Sequence, residues 1–169
     1  DAIKIATEVK AFASFGGYGG TNAFADELAA RGVLCFCTVS QPTENYLKWA
    51  PHVWSTLMAS TQGYLHRAEY LCRLWGKPAK YAGDATMKVK NRSVGLIYFE
   101  TEDNAYKSGA DYFEREFAAQ CGGKLADRQA YILDLTKAQE DARIVVARLK
   151  DRGVTTVLFS GDPFMPIFL

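Results

Sequence analysis

The sequence predicts an α/β fold in which parallel sheets are flanked by helices. Three observations carry this. Apolar runs alternate with amphipathic stretches along the 169 residues. Short turns punctuated by glycine separate them. The clearest apolar run, Val94-Gly95-Leu96-Ile97-Tyr98-Phe99, is continuous rather than alternating, as in parallel strands covered on both faces.

Each element has its own signal. Ala2 to Lys10 reads as the end of a helix, and Lys10-Ala11-Phe12-Ala13-Ser14-Phe15 as a strand stopped by glycines. Thr21 or Asn22 can cap a helix running to Arg31, which Gly32 ends. Val33 to Val39 reads as a buried strand. Ser40 to Ser60 has little periodicity and carries Pro42, Pro51, Trp49 and Trp54, so a loop or crossing outside the core is expected. The tryptophans are expected on the surface or at a hinge. A helix spans Thr61 to Trp75, and the polar stretch Lys77–Asn91 is irregular. The second half repeats the pattern: a strand at Arg92–Phe99, a helix at Ala105–Gln120 burying Tyr112, Phe113 and Phe117, and a strand at Ala130–Leu133. A turn at Asp134–Lys137 leads into a helix at Gln139–Arg152 with Ile144, Val145, Ala147 and Leu149 inward. A strand at Val154–Phe159 and a short terminal helix complete the pattern.

Bulk properties narrow the function. The chain is 49% hydrophobic and 23% charged, with net charge +1. That suits one globular domain or two small lobes, and supplies no field for nucleic acid or an anionic membrane. No apolar run reaches the ~18 residues of a membrane span. The start, Asp1-Ala2-Ile3-Lys4, has neither an initiating Met nor a leader's apolar core, so a removed leader or an internal start is expected. Cys35, Cys37, Cys72 and Cys121 lack zinc spacing. On a strand Cys35 and Cys37 point the same way, so buried free thiols are expected there, while a Cys72–Cys121 bridge is compatible with secretion.

In parallel α/β folds ligands sit just past the carboxyl ends of the strands. That rule selects the loops at Ser14–Thr21, Thr38–Asn45, Glu100–Tyr106 and Ser160–Phe164. The glycine-rich bend after Ser14 lets backbone amides approach an anion at a helix start. The same bend serves equally as a plain turn. It matches neither a phosphate-binding loop with lysine nor a dinucleotide fingerprint. The hydroxyls of Thr38 and Ser40 can complete such a pocket. Asp162 suits a ligand ammonium group, or caps the following helix. Asp103 or Asn104 can cap the helix that begins near Ala105. His52 and His66 have no acid or cysteine at ligand or triad spacing, and no coherent set of nucleophile, base or cofactor loop is present. No cofactor and no metal are expected.

At these loops the sequence resembles the periplasmic-binding-protein type I family. The resembling stretches are Ala11–Gly20 leading into Thr21–Gly32, Gly32-Val33-Leu34 with Thr38-Val39-Ser40, Arg92–Asn104 with Tyr106-Lys107-Ser108-Gly109, and Asp141–Gly161. The resemblance implies two Rossmann-like lobes, with residues 1–55 in part of the first and 56–169 in part of the second. It implies an internal fragment of a longer, partly truncated plan. It further implies a branched-chain amino-acid-type solute-binding protein of an ABC importer, periplasmic or extracellular, which docks on a permease and does no chemistry. Its ligand carboxylate would meet Tyr18, Thr21 and Ser14, with Thr38 and Ser40. Glu102, Tyr106 and Asp162 would face the ligand from the other lobe. A sensor or regulator domain of the same fold is the alternative. A lipid anchor outside this chain would be the sole membrane tie, and truncated sheets would favour self-association.

Overall fold

A computed structural model of the protein describes residues 1–16, 22–38, 40–101 and 104–169, which divide into two units, Asp1–Gly63 and Tyr64–Leu169. The first unit contains α1 (Ala2–Thr7), β1 (Ala13–Phe15), α2 (Ala23–Ala30), β2 (Leu34–Phe36) and α3 (Thr43–Trp49). β1 and β2 pair in parallel, with Ser14 opposite Cys35. Leu28, Cys35, Trp49 and Val53 are the centre of its core.

Three expectations are corrected in this unit. Ser40–Ser60 is not a plain crossing, because it holds α3 and contributes to the core. Val53 bridges to Cys35, whose amide bonds the His52 carbonyl at 2.7 Å. Trp49 is buried rather than at a surface or hinge, and its indole Nε1 donates to Asp26 at 2.7 Å. Burial pushes the Asp26 carboxyl up, but hydrogen bonds from Lys48 and Trp49 outweigh it and hold the group below its ordinary value. Cys35 and Cys37 are joined rather than free. Cys37 lies just past the end of β2, where the strand repeat no longer spaces the pair. Their Cα atoms are 5.2 Å apart, within disulfide reach.

The second unit is a three-layer arrangement. α4 (Ser60–Leu74) starts at the end of the first unit and belongs mainly to the second. One-turn α5 (Ala85–Lys88) follows, capped by the Asp84 side chain. Then come β3 (Val94–Phe99), α6 (Ala105–Cys121), β4 (Leu125–Tyr131), α7 (Ala138–Asp151), β5 (Thr156–Ser160) and a 3-10 turn at Met165–Ile167. The strands are parallel in the order β4-β3-β5. One sheet face, including Leu96 and Tyr98, packs on Tyr64, Ala68, Phe113 and Phe117 of α4 and α6. The other, including Ile97 and Tyr131, packs on Ala142, Val145 and Leu149 of α7. Cys72 on α4 and Cys121 on α6 are bridged, the pairing that the sequence reading gave as compatible with secretion.

Two details differ from the sequence reading. β4 begins at Leu125, five residues before the expected Ala130, because its early residues are polar. Asp127 and Gln129 point inward and satisfy each other, and Arg148 reaches Asp127 at 3.0 Å. On α7, Ala142, Val145 and Leu149 face the core, whereas Ile144 and Ala147 are exposed. Val145 and Leu149 face inward as expected, while Ile144 lies one residue, about 100° around the helix, off that stripe.

Candidate functional site

The carboxyl ends of the strands place the candidate residues. In the first unit, Ser14 lies on β1 and lines a shallow recess with Phe15, Gly16 and Phe24. The Thr38 hydroxyl is 3.3 Å from the Tyr46 hydroxyl on α3. Ser40 Oγ donates to the Met58 carbonyl at 2.7 Å, so its proton is already used. Tyr18, Thr21 and Glu102 lie outside the described residues. Tyr46 escaped the sequence reading because α3 itself did. Trp54 is about half exposed, and with Tyr46, Leu47, Val53, Leu57 and Met58 it lines an apolar recess of about 290 Å3.

In the second unit the sheet's end carries an aromatic ledge. Phe99 closes β3, and its ring lies 5.3 Å from that of Tyr131 at the end of β4 and 5.7 Å from Tyr106 in the first turn of α6. Phe159 on β5 also stacks with Tyr131, at 5.7 Å. Tyr106, Phe99 and Phe159 are half-buried, so part of each ring meets solvent. Asn104 precedes α6 with a left-handed backbone, φ 54°, and no side-chain cap bond, a conformation that asparagine tolerates better than most residues.

Asp162 is held from three sides. The Tyr131 hydroxyl donates to one carboxylate oxygen. The Phe164 and Met165 amides donate to the other at 2.6 Å and 3.0 Å. The latter pair starts the closing 3-10 turn. Gly161 permits this geometry, since a Cβ there would stand 2.1 Å from the Tyr131 hydroxyl. Burial pushes the Asp162 carboxyl up, yet these hydrogen bonds hold it below its ordinary value. The Tyr131 hydroxyl is pushed well above its ordinary value, by burial first and by Asp162 second.

The bond has a pH signature. A carboxylate whose folded pKa is depressed stabilises the fold above its unfolded value, and that contribution is lost as pH falls through the folded value. Tyr131→Phe is expected to lower stability by about 2 kcal/mol at pH 7, since the bond is to an ionised group. The deficit should shrink below about pH 4, where Asp162 protonates in the unfolded chain. Urea unfolding of both proteins between pH 3 and pH 7 checks this. A deficit independent of pH would assign the loss to packing alone.

On the opposite face of the same sheet end, Ser160 of β5 lies opposite Tyr98. The Ser160 and Tyr64 hydroxyls share a hydrogen bond, and Arg67 Nη1 approaches Ser160 Oγ to 3.5 Å. The Arg67 guanidinium lies over the Tyr64 ring, 5.0 Å from its centroid. Gly109 on α6 makes room for Tyr64, because a Cβ there would fall 1.9 Å from the ring. Ser160 stands in one of the loops selected from the sequence. Tyr64 and Arg67 do not, because α4 reads as an ordinary packing helix. Among the described residues no group of His, Cys, Asp or Glu is placed to hold a metal ion, and no helix is long and apolar enough to cross a membrane.

No protein-family profile and no curated protein matches the sequence. Solved structures do match the fold. An R. palustris ABC transporter solute-binding protein in complex with 4-hydroxybenzoate superposes with a TM-score of 0.65 at 18% identity, covering 94% of this chain and 37% of that one. A Silicibacter pomeroyi structure named for a branched-chain amino acid ABC transporter gives 0.61 at 13% identity, over 94% and 38%. A Desulfitobacterium hafniense ABC transporter substrate-binding protein in complex with Leu gives 0.53 at 16% identity, over 85% and 37%. The chain thus spans well under half the length of these structures. It shares their fold, parallel sheets flanked by helices as in periplasmic-binding proteins of type I.

Proposed function

We propose that this chain is part of an extracytoplasmic solute-binding protein of an ABC importer, which binds a small polar or aromatic solute and passes it unchanged to a permease. The observation that carries this reading is the likeness in fold to substrate-binding proteins whose structures hold Leu and 4-hydroxybenzoate. The half-buried ledge of Phe99, Tyr106 and Phe159 supports it. Ring faces at a strand end suit the apolar part of such solutes. Ser14, Tyr18, Thr21, Thr38, Ser40, Glu102, Tyr106 and Asp162 are the proposed contacts. Asp162 keeps one lone-pair position beyond its three hydrogen bonds, which leaves room for a ligand donor. The proposed lobes are residues 1–55 and 56–169.

The proposed location is periplasmic or extracellular. The fold alone also suits a ligand-binding sensor domain, and both readings require solute binding without turnover. A thermal-shift and calorimetry screen with amino acids, aromatic acids and their amides tests it. A solute present at about 100 times its Kd is expected to stabilise the chain by about 3 kcal/mol. If no solute shifts the transition, or if one is chemically converted, the reading fails.

A further inference from the structure

We infer that Tyr64, Arg67 and Ser160 form a subsite for a carboxylate group of the solute, at the end of β5 in the second unit. This rests on the solute-binding reading above and specifies the chemistry of its ligand.

The inference follows from counting donors and acceptors. Tyr64 and Ser160 are 4% and 6% exposed, so neither hydroxyl is freely served by bulk water. The two hydroxyls own two protons, and their mutual hydrogen bond uses one, whichever side donates. Nothing among the described residues accepts the other. Arg67 brings in further N–H groups and no acceptor. A buried hydroxyl proton with no acceptor is costly, and a guanidinium beside it adds charge of the matching sign. The cluster is therefore rich in donors and short of one acceptor, which an oxyanion supplies.

The setting of Arg67 separates it from the protein's other arginines. Arg31 pairs with Glu27, Arg115 with Glu116, Arg128 with Asp111 and Glu114, and Arg148 with Asp127. Arg67 has no carboxylate partner among the described residues. Arg73, Arg92, Arg143 and Arg152 also lack one; of these Arg92 donates to the half-buried Thr156 hydroxyl at 3.0 Å, and none is hydrogen-bonded to a side chain as buried as Ser160. The Arg67 guanidinium is instead laid across the Tyr64 ring, which orients it toward Ser160. Gly109 and the packing of Tyr64 on α6 fix the phenol in place. A planar guanidinium with a neighbouring hydroxyl matches the two oxygens of a carboxylate better than a single point charge would. Ser160 sits at the strand's carboxyl end, where solutes of this fold class meet the sheet.

The test titrates the 169-residue chain with L-leucine, L-glutamate and 4-hydroxybenzoate, each beside its carboxamide, and repeats the titrations on Arg67→Gln. Arg67 is exposed, and an unchanged circular dichroism spectrum and melting temperature will show that the variant folds. The acid that binds best should exceed its amide, and Arg67→Gln should weaken that acid about tenfold while moving the amide less than about twofold. Arg67→Lys should recover part of the loss. If the parent binds a solute but prefers no acid over its amide, or if Arg67→Gln weakens both equally or neither, the carboxylate subsite is overturned and solute binding stands. If the parent binds none of the compounds, nor any member of the wider screen, both fail together.

Discussion

Replacing Cys72 and Cys121 together by alanine is expected to lower the unfolding free energy of the second unit by about 4 kcal/mol. The bridge joins residues 49 apart in sequence. Cross-linking a loop of that length removes much of the conformational freedom of the unfolded chain. It also fastens α4 to α6, the two helices that cover one face of the sheet. The Cα atoms stand 5.6 Å apart, so the native backbone accepts the link without rearrangement. Amide hydrogen exchange along α6 will read the effect in this unit alone, because the slowest amides report its global opening. A change below about 1 kcal/mol would show that the chain does not rely on the bridge. Thiol titration of the unfolded, unreduced protein should find none of its four cysteines free.

Phe117→Ala is expected to cost about 4 kcal/mol, within the range for deleting a fully buried aromatic ring. Phe117 has no exposed surface, lies edge-on to Trp75 at 5.0 Å and stacks on Phe113 at 5.5 Å. Loss of the ring leaves a cavity in the close-packed core between Trp75 and Phe113. Trp75 touches the site, so its fluorescence will follow urea unfolding of this unit. A loss under about 2 kcal/mol would mean that α6 shifts inward to close the space.

The elements that could be read from the sequence are those where hydrophobicity and period agree. β3 is apolar at nearly every position because both faces are covered. α6 repeats its large apolar residues at helical spacing, and Phe113 and Phe117 are where that pattern puts them. α3 was invisible because Thr43–Trp49 is short and mostly polar. Its place depends on burial of Trp49 and on the bond from that indole to Asp26, 23 residues earlier. The start of β4 was hidden for a related reason. Asp127 and Gln129 are buried by pairing with each other and with Arg148, which no count of apolar residues detects.

The candidate site divides in the same way. Asp162, and the loop that contains Ser160, were nominated because a strand-end rule needs only the strand. The bonds that decide what these residues do were not legible. Asp162 is tied to Tyr131, and Ser160 to Tyr64, 96 residues away in the chain.

By itself the sequence determined the class of fold and the alternation of strands and helices in parallel sheets, and it nominated the loops proposed to meet a solute. These follow from local preference and from the period of burial, which act over a few residues. The tertiary structure alone decided which polar side chains are satisfied within the protein and which retain a proton to offer. That distinction depends on contacts between distant segments in a medium where water cannot complete the missing bond, and the role proposed for Arg67 and Ser160 rests on it.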